Sequence, residues 1–235
     1  MATASASLRT IDLGEYKLSY ATFGSGPSMI LLHGSDKRED WSVWKPLLRL
    51  GDTFSLIIPD LVGFGRSSRP AETPDYVAQA NVLHELVDKL SVPKVILVGR
   101  SWGGQVALEF AANWPDRVAS MVLISSTYDK PQLRRLKKVR RPALIVWAED
   151  DLVAQVKAGY LLRDAIGLAR IQVLDPVARD PRNDFTIAHK LERYRTEAIE
   201  TSMRDFLADP DRKVAQAPEL EPELRGLATK EEKES

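Results

Sequence analysis

The sequence predicts an α/β protein built on a mostly parallel sheet with helices on both faces. Two observations predict it. Strand-like runs alternate with stretches of helical period through most of the chain. The strand-like runs are also continuously apolar rather than alternating, as strands buried on both sides must be. At 235 residues the chain suffices for one large α/β domain or two small ones, and for a substantial core.

Each element follows in order. Leu8–Leu13 and Tyr16–Phe23 read as antiparallel strands joined by a turn at Leu13-Gly14-Glu15. Ser28–Leu32 is an apolar strand ending at His33-Gly34. Asp40–Leu50 carries Trp41, Trp44, Leu47 and Leu48 at helical spacing. Phe54–Ile58 is a strand closed by Pro59-Asp60. Pro74–Leu90 is an amphipathic helix with Val77, Val82, Leu83, Leu86 and Leu90 on its apolar side. Lys94–Val98, Val118–Ile124 and Ala143–Trp147 are further strands. Val153–Ile166 reads as a helix, Arg170–Leu174 as the last strand and Ile187–Leu207 as a closing helix. No internal repeat is visible. The organisation expected is one domain over 1–208 and a tail over 209–235, where Pro210, Pro218 and Pro222 interrupt a charged segment with no apolar pattern.

Composition narrows the classes. Thirty-three basic residues balance thirty-three acidic ones, which gives no overall bias toward nucleic acid or an anionic membrane. The absence of cysteine excludes disulfides, thiolate metal sites and a cysteine nucleophile. The start, Met-Ala-Thr-Ala-Ser-Ala-Ser, carries no apolar signal region, and no apolar stretch reaches the length of a membrane span. A cytoplasmic protein is expected.

Residues 99–103 read Gly-Arg-Ser-Trp-Gly, directly after the apolar run Lys94–Val98 and before a helical pattern, Gly104–Ala112. A serine flanked by glycines at such a strand-to-helix corner is a nucleophile elbow. The turn is too tight for bulky neighbours, and the helix N-terminus favours negative charge. A serine hydroxyl is a poor nucleophile alone. It needs a base, a carboxylate to orient that base, and donors for the developing oxyanion.

Ile30-Leu-Leu-His-Gly34, Pro59-Asp-Leu-Val-Gly-Phe-Gly-Arg-Ser67 and Val98-Gly-Arg-Ser-Trp-Gly-Gly104 together resemble the α/β-hydrolase superfamily. The likeness is to its small esterase, haloperoxidase-like and meta-cleavage-product hydrolase branch, and it spans roughly residues 8–207. It implies an α/β-hydrolase fold and a triad in chain order Ser, Asp or Glu, His. Ser101 is then the nucleophile, with the Trp102 and Ser35 amides as the oxyanion hole. The acid follows the strand Ala143–Trp147, in Ala148-Glu-Asp-Asp151. The family register selects Asp151, with Asp150 and Asp129 as alternatives. His33, leaving its strand ahead of the serine, is expected to be structural, and His84 a surface or packing residue.

The base is harder to assign. Relatives place a histidine a few residues after the last strand, where this chain reads Pro176-Val-Ala-Arg179. Arginine cannot deprotonate serine. Counting back from Arg204-Asp-Phe-Leu207 instead puts Ala188-His189 in the histidine position. The surplus then falls between Leu174 and His189, in a Pro-, Asp- and Asn-rich stretch of loop composition. His189 is therefore the expected base.

Sixteen residues separate Ser125 from Pro142, room for one short helix or a loop but not for a cap domain. An open, shallow cleft is expected. The connection is basic through Leu133-Arg-Arg-Leu-Lys-Lys-Val-Arg-Arg141, which reads as a solvated helical face. The function expected is a serine carboxylic ester hydrolase acting on a small-molecule or acyl ester substrate, with no metal or organic cofactor and no nucleic-acid partner. The alternative is a non-hydrolytic protein of the same fold that binds a small molecule or partner.

Overall fold

The computed structural model describes residues 6–149, 151, 154–175 and 196–212. Eight strands form one sheet: β1 (Ser7–Asp12), β2 (Lys17–Phe23), β3 (Ser28–Leu32), β4 (Ser55–Pro59), β5 (Val95–Arg100), β6 (Val118–Ile124), β7 (Ala143–Ala148) and β8 (Ala169–Leu174). Their order across the sheet is β1-β2-β4-β3-β5-β6-β7-β8. β2 runs antiparallel to β1 and β4, and every pairing from β4 to β8 is parallel.

Among the described residues, five α-helices accompany the sheet: α1 (Tyr76–Lys89), α2 (Trp102–Asn113), α3 (Lys130–Leu136), α4 (Val156–Ala165) and α5 (Thr196–Ala208). Side-chain alternation along the strands divides the core in two. Ile30, Leu32, Leu97, Met121, Leu123, Ile145 and Trp147 pack with α1, α2, α3 and α4 on one face. Met29, Leu31, Val98, Val122, Ile124 and Val146 pack on the other, against Trp44, Leu47, Leu50 and the α5 residues Ile199, Met203 and Phe206. Both faces of the inner strands are thus covered, which is why their sequences are apolar without interruption.

Two element boundaries differ informatively from the sequence reading. The Trp41–Asp52 segment is a 3-10 helix, with Asp40 capping it through Ser42 N–H and Pro46 inside. Pro46 has no N–H, so one bond along the coil is missing there. α1 begins at Tyr76 because the Asp75 side chain accepts from Ala78 N–H at 2.8 Å and caps it. No helix among the described residues is long and apolar enough to cross a membrane.

The order of the strands positions the site. After β3 the chain turns to β4 on one side, and after β5 to β6 on the other. The carboxyl ends of β3 and β5 therefore flank the crevice where the winding reverses, the usual place for ligands in open α/β sheets. His33-Gly34-Ser35 leaves the first of these ends and Ser101 the second.

Candidate active site

Ser101 joins β5 to α2 with φ +51° and ψ −123°, a conformation that side-chain-bearing residues rarely adopt. The surrounding backbone holds it there. Ser101 N–H donates to the Ile124 carbonyl at 3.0 Å, and the Ser101 carbonyl accepts from Gly104 N–H at 3.0 Å and Thr127 N–H at 3.1 Å. Close approach explains the glycines. A Cβ on Gly99 would lie 2.5 Å from the Gly103 carbonyl oxygen, and one on Gly103 would lie 2.3 Å from that of His33. The structure thus gives the corner its tightness, and Ser101 remains partly exposed.

Trp102 is the first residue of α2, so its amide has no acceptor within the helix. Its ring is partly buried beside Phe64, at 5.9 Å between centroids. Across the crevice, Gly34 N–H donates to Glu39 Oε2 at 2.6 Å and is already occupied. Ser35, the next residue, is exposed at the sheet edge.

His33 is fully buried, and backbone groups use both ring nitrogens. Nε2 accepts from Leu61 N–H at 3.0 Å, so Nδ1 carries the proton and donates to the Gly34 carbonyl at 2.7 Å. Burial pushes the imidazole below its ordinary pKa. With its lone pair engaged, His33 is unsuited to serve as a base. His84 lies on α1, stacked on Trp114 at 4.2 Å and paired with Asp88, a packing role.

Asp151 is buried in the turn after β7. Its Oδ1 accepts from Ala154 N–H at 3.0 Å and its own N–H donates to the Ala148 carbonyl at 3.2 Å. Trp147 fixes the same turn by donating Nε1–H to the Ala154 carbonyl at 2.7 Å. Asp129, an alternative acid, is committed elsewhere. Its Oδ1 caps α3 through Gln132 N–H at 2.7 Å, and its Oδ2 accepts from Tyr76 Oη at 2.5 Å. That bond stabilises the neutral phenol and pushes Tyr76 up to about 12. Asp150, Arg179 and His189 lie outside the described residues.

Sequence reasoning missed a buried ion pair behind the elbow. Arg100, between Gly99 and Ser101, is 4% exposed and pairs through Nη2 with Glu39 Oε1, itself 6% exposed. The signal was available: a charged residue at the end of an apolar, doubly covered strand requires a buried partner.

A mostly parallel sheet of this order with a strained serine at the β5–α2 corner defines the class as the α/β-hydrolase fold. The family model for the alpha/beta hydrolase fold matches residues 27–140. An uncharacterised protein of Mycobacterium tuberculosis (strain ATCC 25618 / H37Rv) is 35% identical over 177 residues, covering 75% of this chain and 48% of that protein. The soluble epoxide hydrolase of Corynebacterium sp. (strain C12) is 36% identical over 110 residues, 46% of this chain and 38% of that enzyme. The chain therefore spans at most about half the length of these curated relatives. Among solved structures, the 2-hydroxy-6-oxo-6-phenylhexa-2,4-dienoate hydrolase from Rhodococcus sp. strain RHA1 superposes with a TM-score of 0.74 at 16% identity, covering 88% of this chain and 100% of that one. The chain is an α/β-hydrolase-fold protein, related to the epoxide hydrolases and haloalkane dehalogenases.

Proposed function

We propose that the chain is a serine hydrolase of carboxylic esters. The carrying observation is Ser101, held at φ +51° on the edge of the sheet at the N-terminus of α2. In this reading Ser101 Oγ attacks the ester carbonyl while His189 takes its proton. Asp151 orients His189 and stabilises the imidazolium. The Trp102 and Ser35 amides receive the developing oxyanion. Collapse expels the alcohol, which takes the proton from His189, and leaves an acyl-Ser101. Water, deprotonated by His189, attacks that acyl carbonyl, releases the acid and restores the serine.

Elementary chemistry supports acyl rather than alkyl transfer. A serine that attacked the saturated carbon of an epoxide or alkyl halide would form an ether. An ether has no carbonyl for water to attack, and the enzyme would not turn over. A carboxylate nucleophile would form a hydrolysable ester instead. Ser101 therefore separates this chain's chemistry from that route, although the related proteins include an epoxide hydrolase and haloalkane dehalogenases. Both oxygens of Asp129 are already used, by Gln132 N–H and Tyr76 Oη, which disfavours it as the acid.

The test is turnover of short p-nitrophenyl esters together with fluorophosphonate labelling at neutral pH. Both should be lost in Ser101→Ala, and ester turnover should fall by about a thousandfold or more in His189→Ala. Full activity in the His189 variant would overturn the assigned base. A wild-type protein that neither labels nor turns over esters would favour the binding-protein alternative.

A further inference from the structure

We propose that Glu39 and Arg100 are positioning residues that lock the oxyanion loop against the nucleophile elbow. The proposal rests on the reading of Ser101 as the acylating serine. Arg100 is the last residue of β5 and is bonded covalently to Ser101, whereas Glu39 belongs to the loop that follows β3. Their ion pair ties the two sides of the crevice together beneath the site. The second Glu39 oxygen accepts from Gly34 N–H at 2.6 Å, so one carboxylate holds the elbow strand and the loop backbone at once.

The geometry of the peptide bond carries this to the reacting atoms. The Gly34 carbonyl and the Ser35 N–H belong to one planar trans peptide and point in opposite directions. His33 Nδ1–H holds that carbonyl at 2.7 Å, and Leu61 N–H fixes the His33 tautomer at 3.0 Å. Glu39 holds the preceding peptide by its N–H. Both peptides flanking Gly34 are therefore fixed, and the direction of the Ser35 N–H follows from them. A Cβ on Gly34 would lie 3.0 Å from Glu39 Oε2, so the carboxylate would have to shift by a few tenths of an ångström to admit it.

Charge adds to the effect. Removing Arg100 takes away the guanidinium that faces the buried Glu39 carboxylate, close to where the oxyanion forms. Negative charge left there opposes the transition state more than the ground state. In Arg100→Met this should appear in kcat rather than KM, whereas in Glu39→Gln, which leaves the guanidinium in place, charge opposes the loss and only the weakened lock lowers kcat.

The experiment compares Arg100→Met, Glu39→Gln and Arg100→Lys with wild type in p-nitrophenyl ester hydrolysis, each first checked for cooperative unfolding. Arg100→Met should lower kcat by about tenfold to a hundredfold and Glu39→Gln by less, about threefold to tenfold, while KM stays within about threefold. Arg100→Lys, which keeps the charge without the planar fork, should recover part of the loss. If Arg100→Met does not fold, Glu39→Gln, of nearly the same shape, carries the test. Folded variants with kcat within about twofold of wild type, or a loss confined to KM, would overturn the proposal. Failure of the ester-hydrolase reading is separately visible as wild-type protein that neither labels nor turns over. In that case amide exchange at Gly34 and Ser35 decides. Exchange about tenfold faster in the variants upholds the lock, and unchanged exchange refutes it.

Discussion

Replacing Ser101 by glycine and, separately, by alanine removes the same hydroxyl from both proteins. The two variants differ only in whether a Cβ remains at φ +51° and ψ −123°. Strain at such a backbone position costs about 1–3 kcal/mol. Glycine returns about 0.4–1 kcal/mol of that by gaining freedom in the unfolded chain. Ser101→Gly should therefore be more stable than Ser101→Ala by about 0.5–2 kcal/mol. For a chain of this size that is about 2–6 °C in Tm. Urea denaturation and calorimetry of the two variants measure the difference directly, without reference to activity. Ser91, exposed at φ +53° after α1, offers the same comparison away from the site. If Ser101→Ala proves as stable as Ser101→Gly, the corner does not hold its serine under strain, and the argument for a preformed elbow fails.

Three further outcomes are expected. Gly103→Ala places a Cβ 2.3 Å from the His33 carbonyl oxygen and 2.4 Å from that of Leu32. Overpacking against backbone should cost about 1–3 kcal/mol in urea denaturation and slow fluorophosphonate labelling by about a hundredfold. Asp151→Asn should lower kcat by about a thousandfold or more, whereas Asp129→Asn, which keeps the Oδ1 cap of α3, should stay within about threefold. Equal losses would return Asp129 to the acid's place. His33 is held neutral with its pKa lowered by burial, so the unfolded chain binds a proton that the folded one does not. Its contribution is complete above the unfolded pKa of about 6.5 and is lost as pH falls below it, with a limiting slope of about 1.4 kcal/mol per pH unit. From pH 7 down toward pH 5 stability should fall increasingly steeply toward this slope in wild type and less in His33→Gln, and parallel curves in urea denaturation would refute it.

The fold was legible because its signals are local. β3, β6 and the β5–α2 corner are each specified by a run of apolar residues and the punctuation that closes it. The nature of the Trp41–Asp52 segment was less legible. Its apolar spacing suits any helix facing the core, and no residue type in it separates a 3-10 coil from an α-helix. The positions of Ser101, Trp102 and Ser35 in the fold were legible because each lies within three residues of a strand end. The partners of Asp129 could not be read from sequence. Its occupation depends on Tyr76, fifty-three residues away, and no spacing rule reports such a pairing. Glu39 was hidden for the same reason. A carboxylate in a polar loop reads as solvated until Arg100 is found opposite it, sixty-one residues later.

How closely the protein can enclose a substrate depends on the connection between β6 and β7. Its eighteen residues, Ser125 to Pro142, include α3, which is tied down rather than poised to move. Gln132 Nε2 donates to the Gln105 carbonyl at 2.9 Å, and Arg135 donates to Glu109 at 2.7 Å. Tyr128 Oη donates to the Ala158 carbonyl at 3.1 Å. Glu109 is only 2% exposed, so releasing Arg135 would strand a buried carboxylate. Lifting α3 would break several such bonds together. The basic run is therefore two things at once: Arg135 and Arg141 are structural anchors to Glu109 and Asp116, while Arg134, Lys137, Lys138 and Arg140 face solvent. A connection fixed in this way does not serve as a closing lid. On the ester-hydrolase reading proposed above, an acyl group would meet Trp102 and the loop after β3 rather than a lid. Such an edge would grip small esters weakly and gain affinity as apolar substrate length increases, at about 0.8 kcal/mol for each buried methylene.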